Sequence, residues 1–151
     1  MTVGFNHLGQ LGQLGNQMFQ YAITKSVASK LNVPFKIPNH QNIFDDGIGN
    51  RYTILLFDIF KLESLTDFGF VDTQKYVQEG HFHYDEDIFN ISPQEDFSLW
   101  GFFQSEKYFK DIENDIRDDF KFKDELVSSC SSLIESVDNP IALHIRRGDF
   151  I

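Results

Sequence analysis

The sequence predicts an α/β fold in which a parallel sheet is flanked by helices. Residues 2–38 pass from a strand-like pattern through a glycine-rich turn and a helical pattern to a second strand. Later segments repeat apolar residues with helical spacing, and the apolar run 141–145 is typical of a buried strand. A strand–helix–strand order implies parallel strands, because the helix returns the chain to the same end of the sheet.

The opening unit has the clearest pattern. Residues 2–7 predict a strand with Val3 and Phe5 on one face, and residues 9–15 predict a turn with glycine at every third position. Residues 16–31 predict a helix whose apolar positions recur at intervals of four, namely Phe19, Ile23, Val27 and Leu31. This segment therefore forms the first strand and crossover helix of the sheet.

Turn residues and alternation place the middle elements. Asn32 and Pro34 end the first helix, and residues 34–38 predict the second strand. Residues 39–53 are polar and read as a loop. Further strands are predicted at 80–84 and 97–103.

Capping residues introduce two later helices. Ser105 and Asp124 carry side-chain oxygens that can accept hydrogen bonds from first-turn N–H groups. The apolar stripe of the second of these helices includes Cys130, which we assign to the helix core. Asn139 and Pro140 end that helix before the strand 141–145.

Composition and charge exclude several classes of partner. The chain has 151 residues, 17 of them phenylalanine, and a net charge of -10. This acidic balance argues against nucleic acid and against an anionic membrane surface. A single cysteine permits no internal disulfide, and no signal peptide or transmembrane segment is evident. We expect a cytoplasmic protein, or one bound peripherally to a membrane.

The glycine-rich turn is the first candidate site. The N–H groups that open the helix after it attract phosphate. The alternative is a tight strand–helix turn without a ligand. The spacing is G-x-x-G-x-x-G, which differs from the G-x-G-x-x-G fingerprint of dinucleotide-binding proteins.

The second candidate site is the segment HIRRGD, residues 144–149, at the end of the last predicted strand. Ligands of open α/β sheets bind at the carboxyl ends of strands, and a guanidinium binds phosphate oxygens bidentately. Adjacent arginines cannot both face the ligand, so one would pair with a carboxylate such as Asp149. A surface salt-bridge cluster is the alternative interpretation.

A third cluster resembles a metal site. His81, His83, Asp85 and Asp87 alternate, and residues 85–87, Asp-Glu-Asp, form a D-x-D pattern like that of metal-dependent glycosyltransferases. We favour a partly exposed strand that runs into a polar turn, because no third segment supplies further ligands. We therefore predict no metal ligands.

Three motifs resemble the alpha-1,2-fucosyltransferase family, glycosyltransferase family 11. They are GQLGNQMFQYA at residues 12–22, GFFQSEKYF at 101–109 and HIRRGDF at 144–150. They occur in the family's order and span almost the whole chain. One position departs from the pattern, because Gln13 stands where the family usually has arginine.

The resemblance implies a Rossmann-like N-terminal half of a GT-B glycosyltransferase, with residues 1–138 on the acceptor side and 139–151 beginning a donor-binding domain. It implies GDP-fucose as donor, a galactoside acceptor, inversion, and no cofactor or essential metal. Arg146 would contact the donor diphosphate with support from His144 and Arg147. Gly12, Gly15, Asn16 and Gln17 would line the donor from the N-terminal side.

Some functional questions stay open from the sequence. A non-catalytic nucleotide- or carbohydrate-binding fragment and a transferase that uses another GDP-sugar are the alternatives. The general base is not assigned, since we favour a structural role for Asp149. We assign the aromatic residues Phe102, Tyr108 and Phe109 to the core.

We expect that this 151-residue chain alone does not transfer fucose. By the resemblance, guanine and ribose contacts would come from a second domain. The measurement is incubation with labelled GDP-fucose and a lactose-type acceptor. Robust product would refute the expectation.

Overall fold

The structure is a computed structural model that describes residues 1–39, 41, 43–45, 51–91 and 94–145. The chain divides into two compact units, Met1–Lys121 and Phe122–Ile151. The sequence places its domain boundary at 138, and that boundary in the whole protein stays a prediction.

The first unit contains the sheet. Its strands are β1 (Val3–Gly4), β2 (Phe35–Lys36), β3 (Phe44–Asp45), β4 (Arg51–Tyr52), β5 (Tyr76–Gln78) and β6 (Phe97–Trp100). Four of them form a parallel sheet in the order β2–β1–β6–β5, and β3 and β4 form a separate antiparallel pair. Val3 lies opposite Phe35 on one side and Phe97 on the other. The predicted α/β class with a parallel sheet is confirmed, consistent with a Rossmann-like half.

The helices of this unit flank the sheet. They are α1 (Leu14–Leu31), α2 (Leu56–Ile59) and α3 (Glu113–Asp119), together with 3-10 helices at Glu86–Phe89 and Glu106–Ile112. The Oγ of Ser105 accepts a hydrogen bond from the N–H of Lys107, as the sequence predicts. The segment after Ser105 is a 3-10 helix, and the non-helical angles of Phe109 place a kink in it before α3 begins.

Helix α1 is enclosed rather than half exposed. Its buried residues include polar side chains as well as apolar ones, namely Gln17, Gln20, Tyr21, Ala22, Ile23, Thr24, Ser26, Val27 and Ala28. It ends where Asn32 adopts the left-handed conformation, with φ 54° and ψ 51°, and donates its N–H to Ala28 and Ser29. Asparagine tolerates that conformation well, so the predicted helix stop is confirmed.

An aromatic core fills the space between α1 and the sheet. Phe5 and Phe103 meet edge to face at 6.4 Å, and Phe103 meets Tyr108 in the same way at 5.6 Å. Each such ring stabilises the fold by about 1.5–3 kcal/mol when fully buried. Of the aromatic residues assigned to the core from the sequence, Tyr108 is buried, while Phe102 and Phe109 are partly buried.

The predicted strand at residues 80–84 is wrong. The strand that pairs with β6 is β5, several residues earlier, and residues 79–85 have no regular structure. The predicted strand 97–103 ends at Trp100, because Gly101 and Phe103 have φ angles of 151° and 52° that turn the backbone. A strand forms where the chain pairs with β6, and the local pattern of residues 80–84 does not report that pairing.

The second unit contains α4 (Asp124–Glu135). Lys123, not Asp124, occupies the cap position, and its side chain makes no capping hydrogen bond. The assignment of Cys130 to a helix core is wrong, because Cys130 is exposed and no residue of α4 is buried. Periodicity predicts a helix, but burial also needs a second apolar surface, which the sequence pattern does not report.

The predicted buried strand at 141–145 is not present among the described residues. This segment has no regular structure, and Ile141 and Leu143 are 94% and 82% exposed. A strand forms only where a neighbouring strand satisfies its N–H and C=O groups. The described part of this unit offers no such neighbour.

A buried polar cluster joins α1 to the end of α3. One oxygen of Asp119, Oδ2, accepts from the Tyr21 hydroxyl at 2.8 Å, from Lys25 Nζ at 2.6 Å and from Ser64 Oγ at 2.7 Å. The other oxygen accepts from the backbone N–H of Ser64 at 3.2 Å. Asp119 is 2% exposed, so this carboxylate is stable only because its partners satisfy it.

The electrostatics of this cluster favour the charged carboxylate. Burial alone would raise the pKa of Asp119, but hydrogen bonds from Lys25, Ser64 and Tyr21 and the charge of Lys25 lower the pKa below its usual value. Burial, in turn, raises the pKa of Tyr21. Asp119 therefore contributes stability that is present above its unfolded pKa and is lost as the pH falls through its folded pKa.

We expect Asp119→Asn to lower the free energy of unfolding at pH 7 by about 3 kcal/mol, because it leaves Lys25 without a countercharge. We also expect the variant to lose less stability than wild type when the pH falls below about 4. Urea unfolding followed by the fluorescence of Trp100, the single tryptophan, measures both effects.

Asp118→Asn is the matched control for this experiment. Asp118 is the exposed neighbour of Asp119 and pairs with Lys121 at 2.7 Å. Exposed pairs contribute at most about 1 kcal/mol. Equal losses in the two variants would contradict the role assigned to Asp119.

Candidate functional site

The candidate site lies at the carboxyl ends of β1 and β6. β1 leads into the glycine turn, residues 9–15, and β6 leads into the Gly101 turn, residues 101–104. Because β1 and β6 are parallel neighbours, both turns leave the same edge of the sheet. In open α/β sheets this edge is where ligands bind.

The glycine turn requires glycine at two positions. Gly9 and Gly12 have φ angles of 93° and 98°, which other residues rarely adopt. A Cβ on Gly12 would also lie 1.9 Å from Nδ2 of Asn16, so the Asn16 amide fills the space a side chain would need. Gly15 has nothing within 4 Å of its Cβ position, so its lack of a side chain leaves open space at the start of α1.

The N-terminus of α1 is open to an anion. Gln13 is the cap residue, but its side chain makes no capping hydrogen bond, and the first turn contains no acidic residue. The first N–H groups of a helix have no acceptor within the helix, and the helix dipole places about half a positive charge there. This end of α1 is therefore suited to a phosphate group.

The side chain of Gln17 holds the glycine turn through hydrogen bonds to backbone groups. Its Nε2 donates to the carbonyl oxygens of Gly12 at 3.4 Å and Thr53 at 3.0 Å, and its Oε1 accepts from the N–H of Leu55 at 2.8 Å. The residue is 1% exposed. Backbone groups of the protein thus bind both the oxygen and the nitrogen of its amide, and the side chain is buried behind the turn.

Gln20 joins the two turns. Its Nε2 donates to the carbonyl oxygen of Leu11 at 3.0 Å and to that of Gly101 at 3.2 Å. The residue is fully buried, and its Oε1 has no partner among the described residues. This amide nitrogen therefore joins the glycine turn to the Gly101 turn.

A second contact between the turns lies nearer the surface. Nε2 of Gln104 donates to Oδ1 of Asn16 at 2.5 Å. This bond fixes the orientation of the Asn16 amide, whose Nδ2 then lies against Gly12. Two motifs that are far apart in the sequence therefore form one surface.

The predicted site residues fall into three groups. Gly12, Gly15, Asn16 and Gln17 come together at the start of α1. His144 is exposed in the second unit. Arg146 and Arg147 lie outside the described residues, and their contact with a diphosphate stays a prediction.

Sequence reasoning missed several residues at this edge. The ring of His7 meets that of Trp100 at 4.2 Å and that of Tyr76 at 5.6 Å, and its Nδ1 lies 3.0 Å from Oε1 of Gln10. Glu79 accepts two backbone hydrogen bonds from the Gly101 turn. The position of His7 and Trp100 at strand ends was the only available signal, and Glu79 gave none.

The side chains of the histidine and aspartate cluster, His81, His83, Asp85 and Asp87, make contacts within the chain. The rings of His81 and His83 lie 5.1 Å apart, and Oδ1 of Asp85 accepts from the N–H of Asp87 to cap a 3-10 helix. Within the part of the chain that the structure describes, no three His, Cys, Asp or Glu side chains are grouped to hold a metal ion.

None of the described helices is long and apolar enough to cross a membrane.

Comparison with known proteins gives one match. The sequence model of Glycosyl transferase family 11 matches residues 3–151 of this chain. Neither the curated proteins nor the solved structures that were searched gave a match.

We expect Gly12→Ala to lower the free energy of unfolding by about 1–3 kcal/mol, because the new methyl group meets Asn16 and the backbone holds a left-handed conformation. Gly15→Ala is the control. It should be neutral or stabilise the chain by up to about 1 kcal/mol, since it adds a good helix former in open space. Denaturant unfolding measures both, and an equal effect at the two positions would contradict the geometry.

Proposed function

The chain belongs to glycosyl transferase family 11, and on that premise we propose that the protein transfers L-fucose from GDP-fucose to the 2-hydroxyl of a galactoside, with inversion. The observation that carries the proposal is the family match, which extends over residues 3–151. The surface formed by the glycine turn and the Gly101 turn supports it, because both turns belong to family motifs.

The donor diphosphate is the ligand proposed for the N-terminus of α1. The free N–H groups there and the nearby Nδ2 of Asn16 are donors, and a diphosphate offers only acceptors. Oδ1 of Asn16 already accepts from Gln104, which leaves the amide's donor end for the ligand. Gly15 leaves open space in which the donor can approach the backbone, and Gly12 makes room for the Asn16 amide.

We propose a supporting role for Gln17 rather than contact with the donor. Its amide already makes hydrogen bonds to backbone groups of Gly12, Thr53 and Leu55, and the side chain is buried. It acts on the donor through the glycine turn that it holds.

Arg146 is the residue proposed to neutralise the diphosphate. A guanidinium stays charged at all physiological pH values and binds phosphate oxygens bidentately. His144 and Arg147 are proposed to support it. The family motif at residues 144–150 is the basis for these roles.

In the proposed reaction, the negative charge that develops on the departing GDP most needs stabilisation. The bond between the anomeric carbon of fucose and the diphosphate oxygen breaks, and GDP leaves with the bonding electrons. The acceptor 2-hydroxyl oxygen bonds to that carbon from the opposite face, and its proton passes to solvent. A positioned arginine and helix N–H groups stabilise the charge that builds on the diphosphate, while the sugar becomes oxocarbenium-like.

The test of the proposal is turnover by the whole natural protein. It should convert labelled GDP-fucose and a galactoside to a product whose linkage, read by NMR, is alpha-1,2. GDP-mannose and other GDP-sugars are offered in competition. Transfer from one of these instead would replace the proposed donor, and no transfer from any of them would refute the proposal.

We expect Arg146→Ala in the whole protein to weaken GDP binding by about 2 kcal/mol, the effect of losing one charge-assisted contact. Calorimetric titration of GDP measures it. Arg117→Ala is the control, because Arg117 is an exposed residue of α3 that pairs with Glu113 at 2.7 Å. An unchanged dissociation constant in Arg146→Ala would remove this residue from the donor site.

A further inference from the structure

We propose that Glu79 is a positioning residue that holds the Gly101 turn in the shape the donor surface needs. Neither the sequence motifs nor the family match assigns a role to Glu79. The proposal rests on the proposed function for its consequence in catalysis. Its structural part stands on the contacts of the first unit alone.

The side chain of Glu79 binds the Gly101 turn with both of its oxygens. Oε2 accepts from the N–H of Phe102 at 2.7 Å, and Oε1 accepts from the N–H of Phe103 at 2.9 Å. Hydrogen bonds to a charged acceptor are stronger than neutral ones. The backbone N–H of Glu79 also donates to the carbonyl oxygen of Trp100 at 2.9 Å, so Glu79 binds the last residue of β6 as well as the turn that follows it.

The Gly101 turn contains backbone N–H groups that need an acceptor outside the sheet. β6 ends at Trp100, so the next N–H groups leave the ladder that paired the strand. Phe103 has φ 52°, which a phenylalanine rarely adopts without outside support. The carboxylate of Glu79 satisfies both N–H groups and so holds the backbone in this conformation.

Glu79 and Gly101 also fit each other sterically. A Cβ on Gly101 would lie 2.5 Å from Cβ of Glu79 and 2.8 Å from its Oε2. Gly101 itself has φ 151°. The glutamate can therefore approach the turn only where the facing residue is glycine.

The held turn reaches the donor surface through two amides. The carbonyl oxygen of Gly101 accepts from Gln20, which also donates to Leu11 in the glycine turn. Gln104, at the other end of the Gly101 turn, donates to Asn16. A change in the Gly101 turn is thus passed directly to the Asn16 amide and to the start of α1.

Charge pairing does not account for Glu79. Among the ion pairs of the described residues, none includes it, whereas Glu95 pairs with Lys75 and Glu113 with Arg117. Its carboxylate is half buried and is directed to backbone N–H groups. This is the arrangement expected of a residue that shapes a turn rather than a surface salt bridge.

The decisive variant is Glu79→Gln in the whole natural protein. Glutamine keeps the shape of the side chain but replaces one acceptor oxygen with an NH2 group, which cannot accept from a backbone N–H. We expect the KM for GDP-fucose to rise by about tenfold, as is typical when a supporting residue behind a site is changed. A mere loss of folded protein would lower the maximal rate and leave KM unchanged.

Two further variants complete the series. Glu79→Asp keeps both acceptor oxygens on a shorter stem and should recover part of the KM effect. Glu63→Gln removes the same charge from an exposed residue of the same unit and should leave KM at the wild-type value. If Glu79→Gln fails to fold, Glu79→Asp carries the comparison with Glu63→Gln.

An NMR readout separates this proposal from the proposed function. The side-chain amide signals of Asn16 and Gln104 should shift in Glu79→Gln and stay in place in Glu63→Gln. If wild type transfers no fucose, the proposed function fails, and these signals still decide the role of Glu79. Unmoved amide signals, or an unchanged KM in a folded Glu79 variant of an active enzyme, would overturn the proposal.

Discussion

The amide of Gln20 is the contact on which the arrangement of the site depends. Its two N–H bonds reach the carbonyl oxygens of Leu11 and Gly101, and these belong to turns that follow neighbouring parallel strands. Because Gln20 is fully buried, its amide nitrogen is shielded from water, and both of its N–H groups are used on these two carbonyl oxygens. The start of α1 therefore keeps a fixed position relative to the end of β6.

Helix α1 carries a second polar anchor further along its length. Tyr21 and Lys25 bind Asp119 and thereby tie the helix to α3 and to Ser64. The helix is thus held by polar contacts at its first turns and again in its middle, while apolar residues between them pack on the sheet. A helix held in this way presents its N-terminal N–H groups as a rigid surface, which suits pre-organised binding of an anion.

The family assignment and the geometry support different parts of the function. The match over residues 3–151 establishes the glycosyltransferase family. The geometry explains why the first two motifs have their residues, since glycine, asparagine and glutamine there serve one joint surface. The arginine motif is the counterpart proposed to bring positive charge to a chain whose net charge is -10. That charge must be local, because the protein as a whole does not attract anions.

The sequence by itself determined the α/β class, the parallel sheet, the end of α1 at Leu31 and the residues at its start, because glycine spacing, apolar periodicity and caps are local properties of the chain. It did not determine that β5 lies at residues 76–78, that Cys130 is exposed, or that Gln20, Gln104 and Glu79 build the site. Only the tertiary structure decided these, since strand register and burial depend on which surfaces meet. A glutamine or glutamate acquires its role from the backbone groups placed opposite it, and those lie up to 81 residues away along the chain.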